Sequence, residues 1–436
     1  MKTRKKFAVV VAAGLAALAI GLLSGCGSSS SSSSTSASTS ASNSAATSSS
    51  TSAATSSSST ASGAPVKVLA ILDTGGADKA FETEMLAGLK GAAAYYNAHG
   101  GILGRPVSID VKNDNSDPGT ATSDAVSALS GSPGKYAMVL AGGEGTITAT
   151  LLPIMARYKA FSTAINDGGA GTCATKVASC PTFFALTGTS AAYSAGDAQY
   201  LVSKHYKNVG LLEEQIDFTE GEAGAVQKYL TSHGVKVETA TFPPTAVSVT
   251  PEMNKLKSGG AQAVFEAAVS APAYYVFGAR PALSWNVPLA LDIASSSGAD
   301  VSKEVPAAEL KNSSETVWYC ENPANTSSIP AYALVGKWTS QAGSPLPSTD
   351  TCALVGIGWG AMVLLHDAAT KAHSLSTPAL VNATQSLHET AQSSPFLSSQ
   401  AYCWSGSDHD NVCDTASDYQ VVPVGKIANL RIEPIK

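Results

Sequence analysis

The glycine-rich segment Gly142-Gly143-Glu144-Gly145-Thr146 has the composition of a turn that can bind an anion. The apolar residues 136–141 before it predict a strand, and residues 146–158 after it predict a helix. Backbone N–H groups at a helix start favour anions, and loops after the strands of an α/β sheet point into the crevice where ligands bind. The segment is therefore a candidate anion site, with a tight connection of no binding role as the alternative.

The N-terminal residues predict export and a lipid anchor. A basic head at 2–6 precedes an apolar run at 8–23 that is too short to span a bilayer comfortably. The run ends in the letters LSGC, which look like a bacterial lipobox, so residues 1–25 are expected to be a signal peptide and Cys26 to carry the lipid. Residues 26–63, rich in serine, threonine and alanine, predict a disordered tether. We expect the protein on the outer face of the cytoplasmic membrane; a secreted protein with an incidental Cys26 is the alternative.

Six further cysteines follow Cys26. An even number of cysteines in an exported chain predicts disulfide bonds rather than a metal or catalytic site. Sequence alone permits several pairings, of which we favour the sequential set Cys173–Cys180, Cys320–Cys352 and Cys403–Cys413. A zinc site is the alternative, and it is disfavoured because no histidine stands at ligand spacing beside these cysteines.

Composition and missing motifs argue against several other classes of protein. The whole chain has a formal net charge of −6, and the expected leader contains basic residues but no acidic ones. A protein with this net negative charge lacks the basic surface that binds nucleic acid or anionic lipid. The chain lacks the GxxxxGK[ST] phosphate loop, the GxSxG nucleophile elbow and the HExxH metal pair. No metal or nucleotide cofactor is therefore implied.

Segments typical of strands and of helices alternate along the chain. The first set of strands is predicted at 66–72, 107–111 and 136–141, with helices at 81–96, 120–129 and 146–158. The alternation then restarts, with strands at 209–212, 235–239, 263–267 and 288–291, helices at 220–233 and 253–258, and a later helix at 354–371. This pattern predicts an α/β fold with parallel sheets. Two such units joined by several chain crossings would leave a cleft between them.

Two blocks resemble the Leu/Ile/Val-binding-protein-like family, the type I periplasmic or solute-binding proteins of ABC importers. Residues 88–107 contain a helix that ends near Asn97, followed by Gly-Gly-Ile and Gly-Arg, and residues 110–118 are similar to the acidic turn before the family's second helix. Weaker matches follow in the same order at 208–221, 255–264 and 358–362. The likeness covers essentially residues 66–436.

The resemblance implies two Rossmann-like lobes, each built from discontinuous chain and joined by a multi-strand hinge. We expect residues 66–188 with 317–400 to form lobe 1, and residues 189–316 with 401–436 to form lobe 2. A ligand would bind between the lobes, and closure would be a hinge motion stabilised by contacts to both.

In the first lobe, the resemblance implies two groups of binding residues. Thr146, next to Gly145, falls where the family places a hydroxyl on the ligand carboxylate. Ala164, Ile165 and Asn166 fall where relatives bind ligand through backbone groups and a hydroxyl, although this segment could also be an ordinary loop. Phe81 belongs to a helical stripe and is expected in the core.

In the second lobe, two carboxylates are candidates. Glu266 lies in a strand expected to face the cleft, with a surface role as the alternative. Asp292 lies near the position where amino-acid-binding relatives hold the α-amino group, although Ala294 or Ser295 could occupy it instead; a zwitterion without a carboxylate there would lose its ammonium partner. Trp359 takes a position that is usually aromatic in relatives, either at the cleft mouth or packed within the lobe.

Together these features predict a non-enzymatic, lipid-anchored solute-binding protein. It would capture a small polar organic solute (a branched-chain or other amino acid, an amide or a carboxylate) and deliver it to an ABC-type permease. We expect a monomer that uses no cofactor and binds no nucleic acid. A sensor module that presents its closed form to a membrane receptor is the alternative. An exported α/β hydrolase is disfavoured because the nucleophile elbow is missing.

Overall fold

The computed structural model describes most of the chain after residue 60. The described residues are 61–166, 173, 176–269, 271–295, 301–322, 324–325, 329–346, 351–390, 393, 397, 399, 401–428 and 431–434. The expected signal peptide, Cys26 and the tether up to residue 60 lie outside them.

The first sheet contains five strands, all parallel, in the order β2-β1-β3-β4-β5. Its elements are β1 (Val66–Leu72), α1 (Lys79–Ala98), β2 (Val107–Asn113), α2 (Pro118–Ser130), β3 (Met138–Ala141), α3 (Gly145–Tyr158), β4 (Ser162–Ala164) and β5 (Phe183–Ala185). Alternate residues of β1 enter two different cores, with Val68 and Ala70 on the side of α1 and Leu69 and Ile71 on the side of α2 and α3. This burial on both faces explains why β1 is an almost continuous apolar run.

The chain then builds the elements of a second sheet. They are α4 (Ser190–Tyr193), α5 (Ala195–Ser203), β6 (Asn208–Glu214), α6 (Asp217–Ser232), β7 (Lys236–Phe242), α7 (Thr250–Ser258), β8 (Ala263–Ala267), α8 (Tyr275–Ala282), β9 (Leu289–Leu291), α9 (Val301–Glu304) and β10 (Ser313–Trp318). Strands β6 to β10 are parallel where they pair. The predicted α/β fold with parallel sheets is therefore confirmed.

The C-terminal part contributes helices to the first sheet and a strand to the second. Its elements are α10 (Ile329–Gln341), α11 (Cys352–Ala372), α12 (Thr377–Thr384), β11 (His388–Thr390), β12 (Ala401–Cys403), β13 (Tyr419–Pro423), β14 (Gly425–Ala428) and β15 (Arg431–Pro434). Strand β13 pairs antiparallel with β10, which completes the order β13-β10-β9-β8-β6-β7. The short strands form the separate pairs β11-β12 and β14-β15.

Helices α1 and α11 pack closely because glycines stand where they cross. A Cβ atom on Gly88 would lie 2.0 Å from the Val355 carbonyl oxygen, and one on Gly358 would lie 1.9 Å from the Met85 carbonyl oxygen. Only glycine permits this approach of the two backbones. By length and composition α11 could cross a membrane, but it is almost wholly buried within the protein and therefore serves as a core helix.

Three disulfide bonds confirm the sequential pairing. They join Cys173 to Cys180, Cys320 to Cys352, and Cys403 to Cys413. The bond between Cys320 and Cys352 links the turn after β10 to the start of α11. His388 lies near the third pair at a spacing that could suit a metal, but both sulfur atoms are already bonded to each other.

The proposed lobe boundaries stay a prediction, and two structural facts bear on them. Strand β10 runs across the expected boundary at residue 317, since Trp318 still pairs with Tyr419 in the second sheet. The segment after residue 401 packs on the first sheet, where the Trp404 indole N–H donates to the Ala185 carbonyl oxygen at 2.6 Å. Several chain segments thus pass between the two sheets.

Candidate functional site

A cavity of about 620 Å³ lies between the carboxyl ends of the strands of the two sheets. From the first sheet it is lined by Ala77, Asp78, Phe81, Ser116, Pro118, Gly143, Glu144, Gly145, Thr146, Ile147, Ile165 and Asn166. From the other side it is lined by Tyr193, Glu214, Ile216, Phe218, Pro244, Val269, Pro272, Ile293, Ala294 and Trp318. Leu354, in the helix that packs against α1, completes the lining. This is the edge at which open α/β sheets bind their ligands.

The cavity brings together four of the residues expected from the sequence. Gly145 and Thr146 line it from the first turn of α3, and Ile165 and Asn166 line it from the loop after β4. Ala164 is fully buried as the last residue of β4 and does not line the cavity. Their contacts with a ligand remain a prediction, but their position at the cavity is consistent with it.

Glu144 occupies the backbone donors at the start of α3. Its Oε1 accepts a hydrogen bond from the Thr146 N–H at 2.8 Å, and its Oε2 accepts one from the Ile147 N–H at 3.0 Å. A carboxylate in this position satisfies unpaired N–H groups and interacts favourably with the helix dipole. The donors on which the anion hypothesis depends are therefore already bonded to a side chain of the protein.

Glu82 fixes the position of the glycine-rich loop through hydrogen bonds. Its Oε1 accepts hydrogen bonds from the N–H groups of Gly143 at 3.1 Å and Glu144 at 2.9 Å, and its Oε2 accepts one from the backbone N–H of Asp73. Burial, reinforced by the nearby charge of Asp114, raises the pKa of Glu82 to about 8. The loop is thus fixed by a buried carboxyl group that is partly protonated at neutral pH.

Glu214 is the charged residue on the opposite wall. It is the last residue of β6, has 4% of its surface exposed and lines the cavity. Its Oε2 accepts a hydrogen bond from the Val269 N–H at 3.0 Å. Burial raises its pKa. Asp78, on the first wall, also has a raised pKa, because of partial burial and the nearby charges of Glu144 and Asp73.

Glu266 and Asp292 do not line the cavity, contrary to their expected role. Both are buried behind the wall, where the Ser295 hydroxyl lies 3.1 Å from Glu266 Oε2 and 2.7 Å from Asp292 Oδ1. The Asp292 side chain bonds to the loop that follows β9, since its Oδ1 also accepts a hydrogen bond from the Ala294 N–H at 3.1 Å. The next residues, Ile293 and Ala294, reach the cavity instead.

These two carboxyls belong to a buried acidic cluster that also contains Asp197 and Glu222. Burial raises the pKa of all four groups, to about 6 for Asp292. The nearby charge of Asp292 adds to the effect of burial on the pKa of Glu222. The cluster is therefore at least partly protonated at neutral pH and is separated from the cavity by its wall.

Trp359 packs inside the protein rather than at the cleft mouth. It is fully buried on α11, with its ring centroid 5.8 Å from that of Tyr95 on α1. Only the first turn of α11 reaches the cavity, through Leu354. The sequence left two alternatives for Trp359, at the cleft mouth or packed within the lobe, and the structure shows the second.

Aromatic side chains that the sequence did not single out as binding residues surround much of the cavity. Phe81, Tyr193, Phe218 and Trp318 all line it. The ring centroid of Tyr193 lies 5.8 Å from those of both Phe218 and Trp318. Phe81 packs on the core as expected and also reaches the cavity. Trp318 is the last residue of β10, and Tyr193 is the last residue of the short helix α4.

The charges around the cavity are all of one sign. Among the described residues, the ionisable carboxylates Asp78, Glu144 and Glu214 line it, and no lysine, arginine or histidine does. The remaining lining is mostly apolar or aromatic, with a few polar groups such as Ser116, Thr146 and Asn166. The site can enclose an apolar body and offers carboxylate acceptors to a donor or a cation.

Comparison with known proteins identifies the family. The profile of the periplasmic binding protein family matches residues 65–417, while no curated protein matches the chain. Among solved structures, a type 1 periplasmic binding protein from Bordetella pertussis is 15% identical with a TM-score of 0.70, covering 85% of this chain and 100% of that one.

Two solute-binding proteins of ABC transporters from Rhodopseudomonas palustris are also similar in fold. One, in complex with benzoate, is 15% identical with a TM-score of 0.64 and covers 79% of this chain and 90% of its own. The other, in complex with 4-hydroxybenzoate, is 14% identical with a TM-score of 0.67 and covers 86% and 97%. The chain therefore belongs to the periplasmic binding protein family and has its type I fold.

Proposed function

We propose that this protein is the extracytoplasmic solute-binding component of an ABC importer. It captures a small organic solute in the cavity between the two sheets and delivers it to a membrane permease. The observation that carries this proposal is the cavity itself, of about 620 Å³ and lined from the carboxyl ends of both sheets. This volume lies within the range of roughly 300–1,000 Å³ typical of small-molecule sites.

The similar structures support a solute of modest size. The two Rhodopseudomonas palustris proteins hold benzoate and 4-hydroxybenzoate. The aromatic side chains of Phe81, Phe218 and Trp318 would suit a ring or a branched aliphatic body of similar dimensions. Hydrogen-bonding side chains at the cavity, such as Thr146 and Asn166, would fix the orientation of its polar group.

The proposed location follows from the N-terminal sequence. Lipidation of Cys26 would anchor the protein to the outer face of the cytoplasmic membrane, and the tract from 28 to 62 would act as a flexible tether with a reach of roughly 30–35 Å. This reach would keep the binding protein beside a permease without fixing its orientation.

The test is a thermal-shift screen of the full chain against amino acids, amides, amines and small carboxylates. A solute that binds only the folded state raises the melting temperature with its concentration. The matched control is a variant that fills the cavity, Ala294→Trp, which should lose the shift, and its own unfolding curve without ligand verifies that it still folds. A shift that survives this substitution would place the binding elsewhere and contradict the proposal.

A further inference from the structure

We infer that the solute is an organic cation, an amine or related ammonium ion with an aromatic or branched aliphatic body and no carboxylate. The inference rests on the proposed function and specifies its substrate class. It departs from the carboxylate expected from the glycine-rich loop and from the acids held by the two similar structures.

The first argument is charge. Asp78 and Glu144 line one wall and Glu214 lines the other, and no basic side chain of the described residues faces them. An anion brought into this space would leave water for a site with three carboxylates and no counter-charge, which is unfavourable. A cation would instead neutralise the excess negative charge on both walls.

The second argument is that the helix start is already occupied. The N–H groups of Thr146 and Ile147 donate to the Glu144 carboxylate, at 2.8 Å and 3.0 Å. A carboxylate ligand would have to displace this side chain and would then meet its charge nearby. An ammonium group needs no such displacement, since it can approach the carboxylates as they stand.

The third argument is the unused acceptor on Glu214. One of its oxygens accepts the Val269 N–H, and no described residue donates to the other. The side chain is 4% exposed and borders the cavity, so water has little access to it except from the cavity side. An ammonium N–H would supply the missing donor in a charge-assisted hydrogen bond.

The fourth argument concerns the remainder of the solute. Phe218 and Trp318, together with Tyr193 between them, line the same cavity as the acidic groups. Aromatic faces attract cations and also cover an apolar body. The site therefore combines acidic groups for the ammonium head with aromatic surface for the rest of the molecule.

The test compares ligands of one shape and different charge. Isothermal titration of the full chain with 2-phenylethylamine, phenylalanine and 3-phenylpropionate, repeated with isoamylamine, leucine and 4-methylpentanoate, varies only the charged groups on two bodies. We expect an amine to bind at least about tenfold more tightly than its matched acid. Binding of an acid or amino acid without binding of either amine overturns this inference and leaves the proposed function standing. Failure of all six ligands to bind would count against both.

Variants separate the charge contact from general stability. Glu214→Gln should weaken amine binding at least about tenfold, and Asp78→Asn should weaken it in the same direction. The control is Glu213→Gln, because Glu213 is the neighbouring residue on β6 and does not line the cavity. Unfolding curves identify a variant that fails to fold, in which case the Asp78→Asn result decides. Amine affinity unchanged within about twofold in the folded cavity variants overturns the inference.

Discussion

At the start of α3, the Glu144 carboxylate accepts two backbone N–H groups that a bound anion would otherwise use. We predict that Glu144→Ala lowers stability by about 1 kcal/mol, because the helix loses its cap, and that it increases the affinity for 3-phenylpropionate several-fold. Thermal unfolding and titration measure the two effects. Asp117→Ala is the control, since Asp117 caps α2 through the Thr120 N–H and does not line the cavity. Equal gains in acid affinity in both variants would contradict the prediction.

The predicted membrane attachment depends on Cys26. We expect Cys26→Ser to abolish incorporation of a labelled fatty acid and to move the protein from the membrane fraction to the soluble fraction, because one residue supplies the whole lipid anchor. Cys173→Ser is a matched control, since that cysteine forms a disulfide and should leave lipid labelling intact. Retention of the label in Cys26→Ser would show that lipid is attached elsewhere.

Residue positions could be predicted from the sequence where a strand-to-helix loop fixed them. Gly145, Thr146 and Asn166 reach the cavity because each follows a strand of the first sheet. Asp292 also follows a strand, but its side chain turns away from the cavity toward the Ser295 hydroxyl. The direction of one side chain in a short loop depends on local hydrogen bonds that spacing along the chain does not encode.

At the scale of elements, the crossing of α1 and α11 depends on missing side chains. We predict that Gly358→Ala destabilises the protein by about 1–3 kcal/mol or more, since its Cβ would lie 1.9 Å from the Met85 carbonyl oxygen and the two helices would have to separate. Gly336→Ala in α10 is the matched control, because no atom lies within 4 Å of its Cβ position. It should be neutral or stabilising by up to about 1 kcal/mol. Equal unfolding midpoints for the two variants in a chemical denaturation experiment would refute this account.

Most of the longer elements were predictable from the sequence, whereas most of the shortest were not, with β9 (Leu289–Leu291, expected at 288–291) as an exception. Strands β1 and β8 have the bounds expected from their apolar runs, and helix α11 exceeds its expected range by only a few residues. Strand β5 and the pairs β11-β12 and β14-β15 were not predicted, since strands of three or four residues show too little alternation of apolar and polar residues. The elements that were predicted are those that form most of both sheets.

At the scale of the whole molecule, the two sheets and the cavity between them follow from the repeated α/β pattern, but the charge of the cavity does not. Asp78, Glu144 and Glu214 are distant in sequence and become neighbours of one space only when both sheets are assembled. Aromatic Tyr193 and Trp318 likewise belong to segments that pass between the sheets. The fold could therefore be predicted from local sequence patterns. The chemistry of the site could not, because it depends on residues that come together only in the folded protein.

Buried carboxyls throughout the molecule link stability to pH. Burial raises the pKa of Glu82 and Asp414 to about 8, that of Glu321 to about 7 and that of Asp292 to about 6. These groups bind protons more tightly in the folded state than in the unfolded state, where they titrate near their ordinary values. The contribution of these groups to stability therefore falls as pH rises between about 4.5 and 8. His409 acts in the opposite direction in the acidic part of this range, because burial lowers its pKa. Asp73 has the opposite sign, because hydrogen bonds from Ser116 and backbone N–H groups outweigh its burial and lower its pKa, but its effect is confined to more acidic conditions.

We accordingly predict that the free energy of unfolding is several kcal/mol higher at pH 5.5 than at pH 8. Each tenfold difference in proton affinity between the folded and unfolded states corresponds to about 1.4 kcal/mol. Urea denaturation at a series of pH values measures it. Glu222→Gln should raise stability at pH 8 and flatten the profile, because the amide replaces a buried group that must be protonated or bear a charge beside Asp292. Glu220→Gln, on the exposed side of the same helix, should leave the slope unchanged. A profile that rises from pH 5.5 to pH 8 would contradict this prediction, because it would mean that the folded protein does not hold these carboxyls in their protonated form more tightly than the unfolded chain does.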